Sequence, residues 1–277
     1  MDTDETHRPA PRTLDRGEGR IAYEVTGTGP LVVCVPGMGE LRSSYRHNVR
    51  ALVDAGFRVA TMDLRGHGDS DATFSSYDDV ATAQDALALV EELGGPALVV
   101  GSSMGAGAAV WAAAERPDLV AGVALVGPFV RNPRSNPLMT ALFRLLMAGP
   151  WAPAAWVSYL PSLYPGARPD DFEEHRALVR DSMRRPGRAR AFRRTTRTSH
   201  APAEARLGEV QAPALVVMGT ADPDFGDAAA EARWIAEQLG DARLVLVRDA
   251  GHYPHTEQPE VVDPELVSFA SEVLGRA

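Results

Sequence analysis

The sequence predicts an α/β protein with a mostly parallel central sheet flanked by helices, on three observations. Short apolar runs rich in β-branched residues recur at 31–35, 58–63, 97–101, 120–127, 214–219 and 243–248. They are too brief and unbroken for surface helices and read as strands buried on both faces. Helical spacing fills several of the gaps, and strand–helix–strand alternation builds a parallel sheet with right-handed crossovers. The chain, 277 residues with 45% hydrophobic and 23% charged content, is long enough to bury a large core.

In chain order, 12–26 supplies one or two antiparallel edge strands before the turn Gly27-Thr28-Gly29-Pro30. Within 79–93 the apolar positions Val80, Ala83, Leu87, Val90 and Leu93 advance by threes and fours, the mark of a one-sided amphipathic helix. Val262, Leu266, Phe269, Val273 and Leu274 draw the same stripe near the C-terminus. The alternation stops between 132 and 205, where Pro and Arg become frequent. The expected organisation is a core of 1–131 and 206–277 interrupted by an insertion at 132–205. The insertion has an aromatic half, 138–164, with Trp151, Trp156, Tyr159 and Tyr164, and a basic half, 176–197.

Composition excludes several chemistries. All 28 basic residues are Arg, so there is no lysine for a phosphate-binding loop, a Schiff base or pyridoxal phosphate. A net charge of −9 argues against a general nucleic-acid binder. Cys34, alone and inside an apolar run, reads as a small buried hydrophobe. Residues 1–20 carry no apolar stretch, and the uncharged run 145–157 is broken by Pro150 and Pro153 and falls short of the ~20 residues of a membrane span. No membrane association and a cytoplasmic location are expected.

The run 97–101 leads into Gly101-Ser102-Ser103-Met104-Gly105 and then a helical pattern. A G-x-S-x-G between a buried strand and a helix projects its central serine from a sharp turn, with Ser102 as a structural neighbour. A serine hydroxyl needs a general base, and the base needs a carboxylate to fix its tautomer. Asp222 follows the run 214–219 and His252 follows the last strand, so Ser103, Asp222 and His252 all sit just past the carboxyl ends of strands, where open α/β sheets bind ligands. The backbone N–H groups of Met104 and of Met38, in Pro36-Gly37-Met38-Gly39, are the expected oxyanion donors.

These motifs, with Asp63-Leu64-Arg65-Gly66-His67-Gly68-Asp69-Ser70, Gly219-Thr220-Ala221-Asp222 and Gly251-His252, resemble the α/β-hydrolase superfamily, particularly its esterase, lipase and cofactor-free haloperoxidase branches. The resemblance spans about 21–274 outside the insertion; Pro36 stands where many members have His. It implies an α/β-hydrolase fold with a helical cap, here 132–205, inserted after the sixth strand and setting substrate choice. It also favours Asp222 over Asp224 and Asp227 as the acid. The implied activity is serine hydrolysis of a carboxylic ester, thioester or lactone through an acyl-enzyme on Ser103, with no cofactor. The same triad serves C–C bond hydrolysis and cofactor-free perhydrolysis, and a non-catalytic ligand-binding protein on this scaffold is a further alternative. Epoxide and haloalkane chemistry is disfavoured, because those branches carry Asp where this chain has Ser103.

The insertion is expected to contribute Met139, Phe143, Leu146, Trp151 and Trp156 to an apolar acyl pocket for a small-molecule substrate. In its basic half Arg176, Arg180 and Arg184 recur every four residues and would share a helix face. That face reads either as solvated and partly neutralised by Asp170, Asp171, Glu173 and Glu174, or as a dock for an anionic partner such as an acyl carrier protein or the phosphates of coenzyme A. His67 reads as structural, and Asp249 as stabilising its turn. His252 and His255 lack a third ligand at metal spacing, so no metal is expected. His47, His175 and His200 show no pattern.

Overall fold

The computed structural model describes residues 11–132, 137–240 and 242–275, apart from the side chains of 137, 139 and 140. Its strands are β1 (Arg12–Asp15), β2 (Arg20–Thr26), β3 (Leu31–Val35), β4 (Arg58–Met62), β5 (Ala97–Ser102), β6 (Val120–Val126), β7 (Ala214–Gly219) and β8 (Ala242–Val247). They join in one sheet in the order β1-β2-β4-β3-β5-β6-β7-β8. β1, β2 and β4 pair antiparallel and every other pairing is parallel. The six apolar runs are therefore the six parallel strands, and 12–26 supplies two antiparallel strands at one side of the sheet, with β1 at its edge.

The helices are α1 (Arg46–Asp54), α2 (Asp79–Glu92), α3 (Met104–Glu115), α4 (Pro137–Ala148), α5 (Ala152–Tyr159), α6 (Phe172–Arg184), α7 (Arg188–Thr195), α8 (Ala201–Glu204), α9 (Ala228–Leu239), α10 (Pro254–Glu257) and α11 (Pro259–Leu274). Strand side chains alternate between two layers. Val33 and Val99 pack with Leu87, Ala109 and Ile235 of α2, α3 and α9. Their neighbours Val32, Cys34, Leu98 and Val100 pack with Leu52 of α1 and Leu266 and Phe269 of α11. Burying each large apolar side chain contributes roughly 1.5–3 kcal/mol, and double-sided burial is why these runs read as continuous rather than alternating.

The chain steps from β3 to β4 on one side and then to β5 on the other, so the sheet reverses direction at β3. Loops leaving the carboxyl ends of β3 and β5 border the crevice at this switch point. Between β6 and β7 the described chain forms α4 to α8. This stretch builds its own apolar cluster from Met147, Trp156, Leu160, Phe172, Val179 and Phe192, which closes onto Tyr253 and Met38 of the sheet-bearing part.

Candidate active site

Ser103 closes the turn from β5 into α3 with φ 54 and ψ −121, a left-handed conformation unusual for a residue with a side chain. The turn is overdetermined by its neighbours. The Ser103 amide donates to the Val126 carbonyl at 2.9 Å, and the Ser103 carbonyl accepts from Ala106 and Phe129. A Cβ on Gly101 would stand 2.2 Å from the Gly105 carbonyl oxygen, and one on Gly105 would stand 2.3 Å from that of Val35. Only glycine fits both flanks, so G-x-S-x-G is a steric requirement of bringing β5, α3 and the end of β3 together.

The loop after β3 lies directly over the serine, because a Cβ on Gly37 would fall 2.7 Å from Ser103 Cβ. Gly39 N–H donates to His67 Nε2 at 3.1 Å, while His67 Nδ1 lies 3.0 Å from the Arg65 carbonyl. These partners fix the ring as the neutral tautomer with its proton on Nδ1. Burial outweighs the opposing effects and pushes its pKa down to about 4. Trp156 Nε1 donates to the Gly39 carbonyl at 3.3 Å, so the loop is clamped from the sheet side and from α5. Within the described residues the Met38 and Met104 amides have no hydrogen-bond acceptor. Both N–H groups are unspent, Met104 directly after the Ser103 turn and Met38 next to Gly37, which stands over the serine.

His252 is 2% exposed and Asp222 3%. His252 Nδ1 and Asp222 Oδ2 are 2.7 Å apart, which leaves Nε2 as the ring's free nitrogen. The His252 amide donates to the Leu163 carbonyl, so the stretch between β6 and β7 also fixes this loop. Asp224 is a second carboxylate, with Oδ2 3.8 Å from Nδ1, and its other oxygen accepts from Tyr159 at the end of α5. Burial disfavours the charged imidazole, but Asp222 and then Asp224 overcome it and raise the His252 pKa to about 9. Burial also raises that of Asp224. Among the described residues Asp222, Asp224 and His252 are the one group whose donor atoms, all within 4.8 Å, could surround a cation. The 2.7 Å contact is that of a hydrogen bond. Ser103 Oγ and His252 Nε2 share no hydrogen bond in this state; such contacts are often long before substrate binds.

A sequence profile described as "Alpha/beta hydrolase family" matches residues 32–265, spanning β3 to α11 and every residue of this site. The chain belongs to the alpha/beta hydrolase family. It is 30% identical over 263 residues to the Mycobacterium tuberculosis protein BpoC, provisionally named a non-heme bromoperoxidase, covering 91% of this chain and 98% of that one. A bromoperoxidase from Bacillus anthracis superposes with a TM-score of 0.81 at 21% identity, covering 94% and 99% of the two chains. A thermophilic esterase from Thermogutta terrifontis does so with a TM-score of 0.77 at 25% identity, covering 96% and 100%. The alpha/beta hydrolase fold expected from the sequence is thus the fold observed, and the chain is a hydrolase. No helix among the described residues is long and apolar enough to cross a membrane.

Of the five side chains expected to line an acyl pocket, Trp156 is buried against the loop after β3, whereas Phe143, Leu146 and Trp151 are 38–53% exposed. The Met139 side chain lies outside the described residues. Among the described side chains of α4, Met147 is the one in the buried cluster. Of the Arg176, Arg180 and Arg184 stripe, Arg176 lies beside Glu173, and Arg180 and Arg184 lie beside Asp181 on the exposed face. His175 and His200, patternless in sequence, are buried partners of Glu40 and Asp79, each at 2.7 Å.

Proposed function

We propose that this hydrolase cleaves a carboxylic ester, thioester or lactone through an acyl-enzyme on Ser103. His252 Nε2 takes the Ser103 proton as Oγ attacks the carbonyl carbon, and the Met38 and Met104 amides hold the oxygen as it becomes negative. The imidazolium then protonates the leaving alcohol, thiol or ring oxygen as its bond to carbon breaks. Water, deprotonated by the same nitrogen, attacks the acyl-enzyme and releases the acid and a free Ser103 hydroxyl. Asp222 keeps the ring oriented and balances its charge throughout.

The observation that carries this reading is the buried 2.7 Å contact between Asp222 and His252 beside the strained Ser103 turn, with the Met38 and Met104 amides unspent. The esterase-named relative adds to it. The stretch 132–205 acts in this reading as a cap whose cluster around Trp156 excludes water and favours an apolar acyl group. A cytoplasmic location belongs to the same reading. The bromoperoxidase names of two relatives favour perhydrolysis as the second reading, in which hydrogen peroxide replaces water and leaves as a peracid.

A fluorophosphonate probe followed by intact-mass measurement tests the proposal. One covalent adduct is expected on the wild type and none on Ser103→Ala. An unlabelled wild type, or equal labelling of the variant, overturns it. Peracid formation with peroxide that exceeds acid formation with water would replace the first reading by the second.

A further inference from the structure

The arginines between 176 and 197 separate into two populations. Arg176 lies 3.2 Å from Glu173, Arg180 and Arg184 share Asp181, and Arg185 lies 2.9 Å from Asp69. One turn further, Arg190, Arg193, Arg194 and Arg197 line an open cavity of about 350 Å³ with Ala148 at the end of α4, and Arg190, Arg194 and Arg197 are exposed. None of these four has a carboxylate partner among the described residues, although the chain has 37 acidic residues against 28 basic ones. Arg194 is held in place by the Phe74 and Ser75 carbonyls and lies over the Tyr77 ring, while the guanidinium groups of Arg190, Arg193 and Arg197 have no hydrogen-bond acceptor among the described residues.

Gathering four like charges around one open cavity raises a positive potential that solvent only partly screens and that a bound anion offsets. The backbone here is well fixed, because the opposite face of α7 is anchored: Phe192 packs at 6.3 Å from the His67 ring and 5.7 Å from Trp156. A single carboxylate would neutralise one guanidinium. A phosphate ester or diphosphate, with two or more charges and several oxygens, matches three free planar forks. The volume falls at the lower end of small-molecule sites, enough for that group and part of what it is attached to.

We propose that this cavity binds a phosphate-bearing small molecule, its oxygens held by Arg190, Arg193 and Arg197. The inference is independent of chemistry at Ser103. Calorimetric titration of the full chain with inorganic pyrophosphate at low ionic strength is the test. Saturable binding is expected, weakened at least about tenfold in Arg193→Ala/Arg197→Ala and unchanged within about twofold in Arg176→Ala/Arg180→Ala and in Ser103→Ala. An unaltered melting temperature in the first double variant shows that a binding loss is local. No saturable binding overturns the proposal, and so does equal loss in both double variants, which would reveal diffuse attraction. Binding to phosphatidylserine vesicles without binding to pyrophosphate likewise replaces the site by a membrane-facing surface.

Discussion

His252 concentrates the electrostatics of the site in one residue. A buried imidazole ordinarily loses its proton more readily, yet Asp222 and Asp224 lift it to about 9 against that tendency. Only the neutral ring can accept the Ser103 proton, so kcat/KM for an ester should rise with pH through this value and level off above it. Asp224→Asn removes one of the two raising charges and should move the rising limb to lower pH by roughly half a unit to one unit, visible in a pH–rate profile. A limb that does not move would mean that Asp224 is not felt at the ring. The sign of the linkage to folding is the reverse of the rate effect. With its folded pKa above the ordinary 6.5, His252 contributes stability that is full below 6.5 and fades as pH rises through about 9.

Elements meet at this site through polar pairs rather than through the sheet. Helix α6 delivers His175 Nε2 to Glu40 Oε2 at 2.7 Å, next to the loop that carries Met38, and both side chains are fully buried or nearly so. On the other flank His200 Nδ1 meets Asp79 at the start of α2. Removing one member of such a pair leaves a buried polar group without its partner, which costs more than the pair contributes when intact. His175→Ala should therefore lower unfolding free energy by about 2–4 kcal/mol in urea titration. It should also reduce kcat more than it raises KM if, as proposed, the loop beside Glu40 positions an oxyanion donor rather than a ground-state contact. A stability loss with no change in kcat would confine the pair to holding α6 in place.

Across the whole molecule the apolar surface is divided unevenly. The sheet is covered on both faces, whereas α4 leaves Leu138, Leu142, Leu145 and Leu146 exposed. Leu98→Ala, near the start of β5 and fully buried, should cost about 2–5 kcal/mol, while Leu145→Ser should change stability by no more than about 0.5 kcal/mol. Denaturant midpoints with unchanged slopes would register both. A large loss at Leu145 would show that α4 contributes to the cooperative fold through a contact this state does not display.

The sequence by itself determined the parallel sheet, the antiparallel strands at its side and the loops that carry Ser103, Asp222 and His252. Strand periodicity, strand-end position and glycine-flanked turns are local properties that survive in one dimension. It also marked Met38 and Met104, because the glycines around them report close backbone approach. Only the tertiary structure decided that Glu40 meets His175, 135 positions away, that His67 clamps Gly39, that the Arg176 stripe is neutralised while Arg190, Arg193 and Arg197 are not, and that Trp156 is covered while Trp151 is not. Pairing and burial depend on distances between elements, and for a helix such as α4 or α7, charged or apolar on several sides, no spacing rule says which side finds a neighbour.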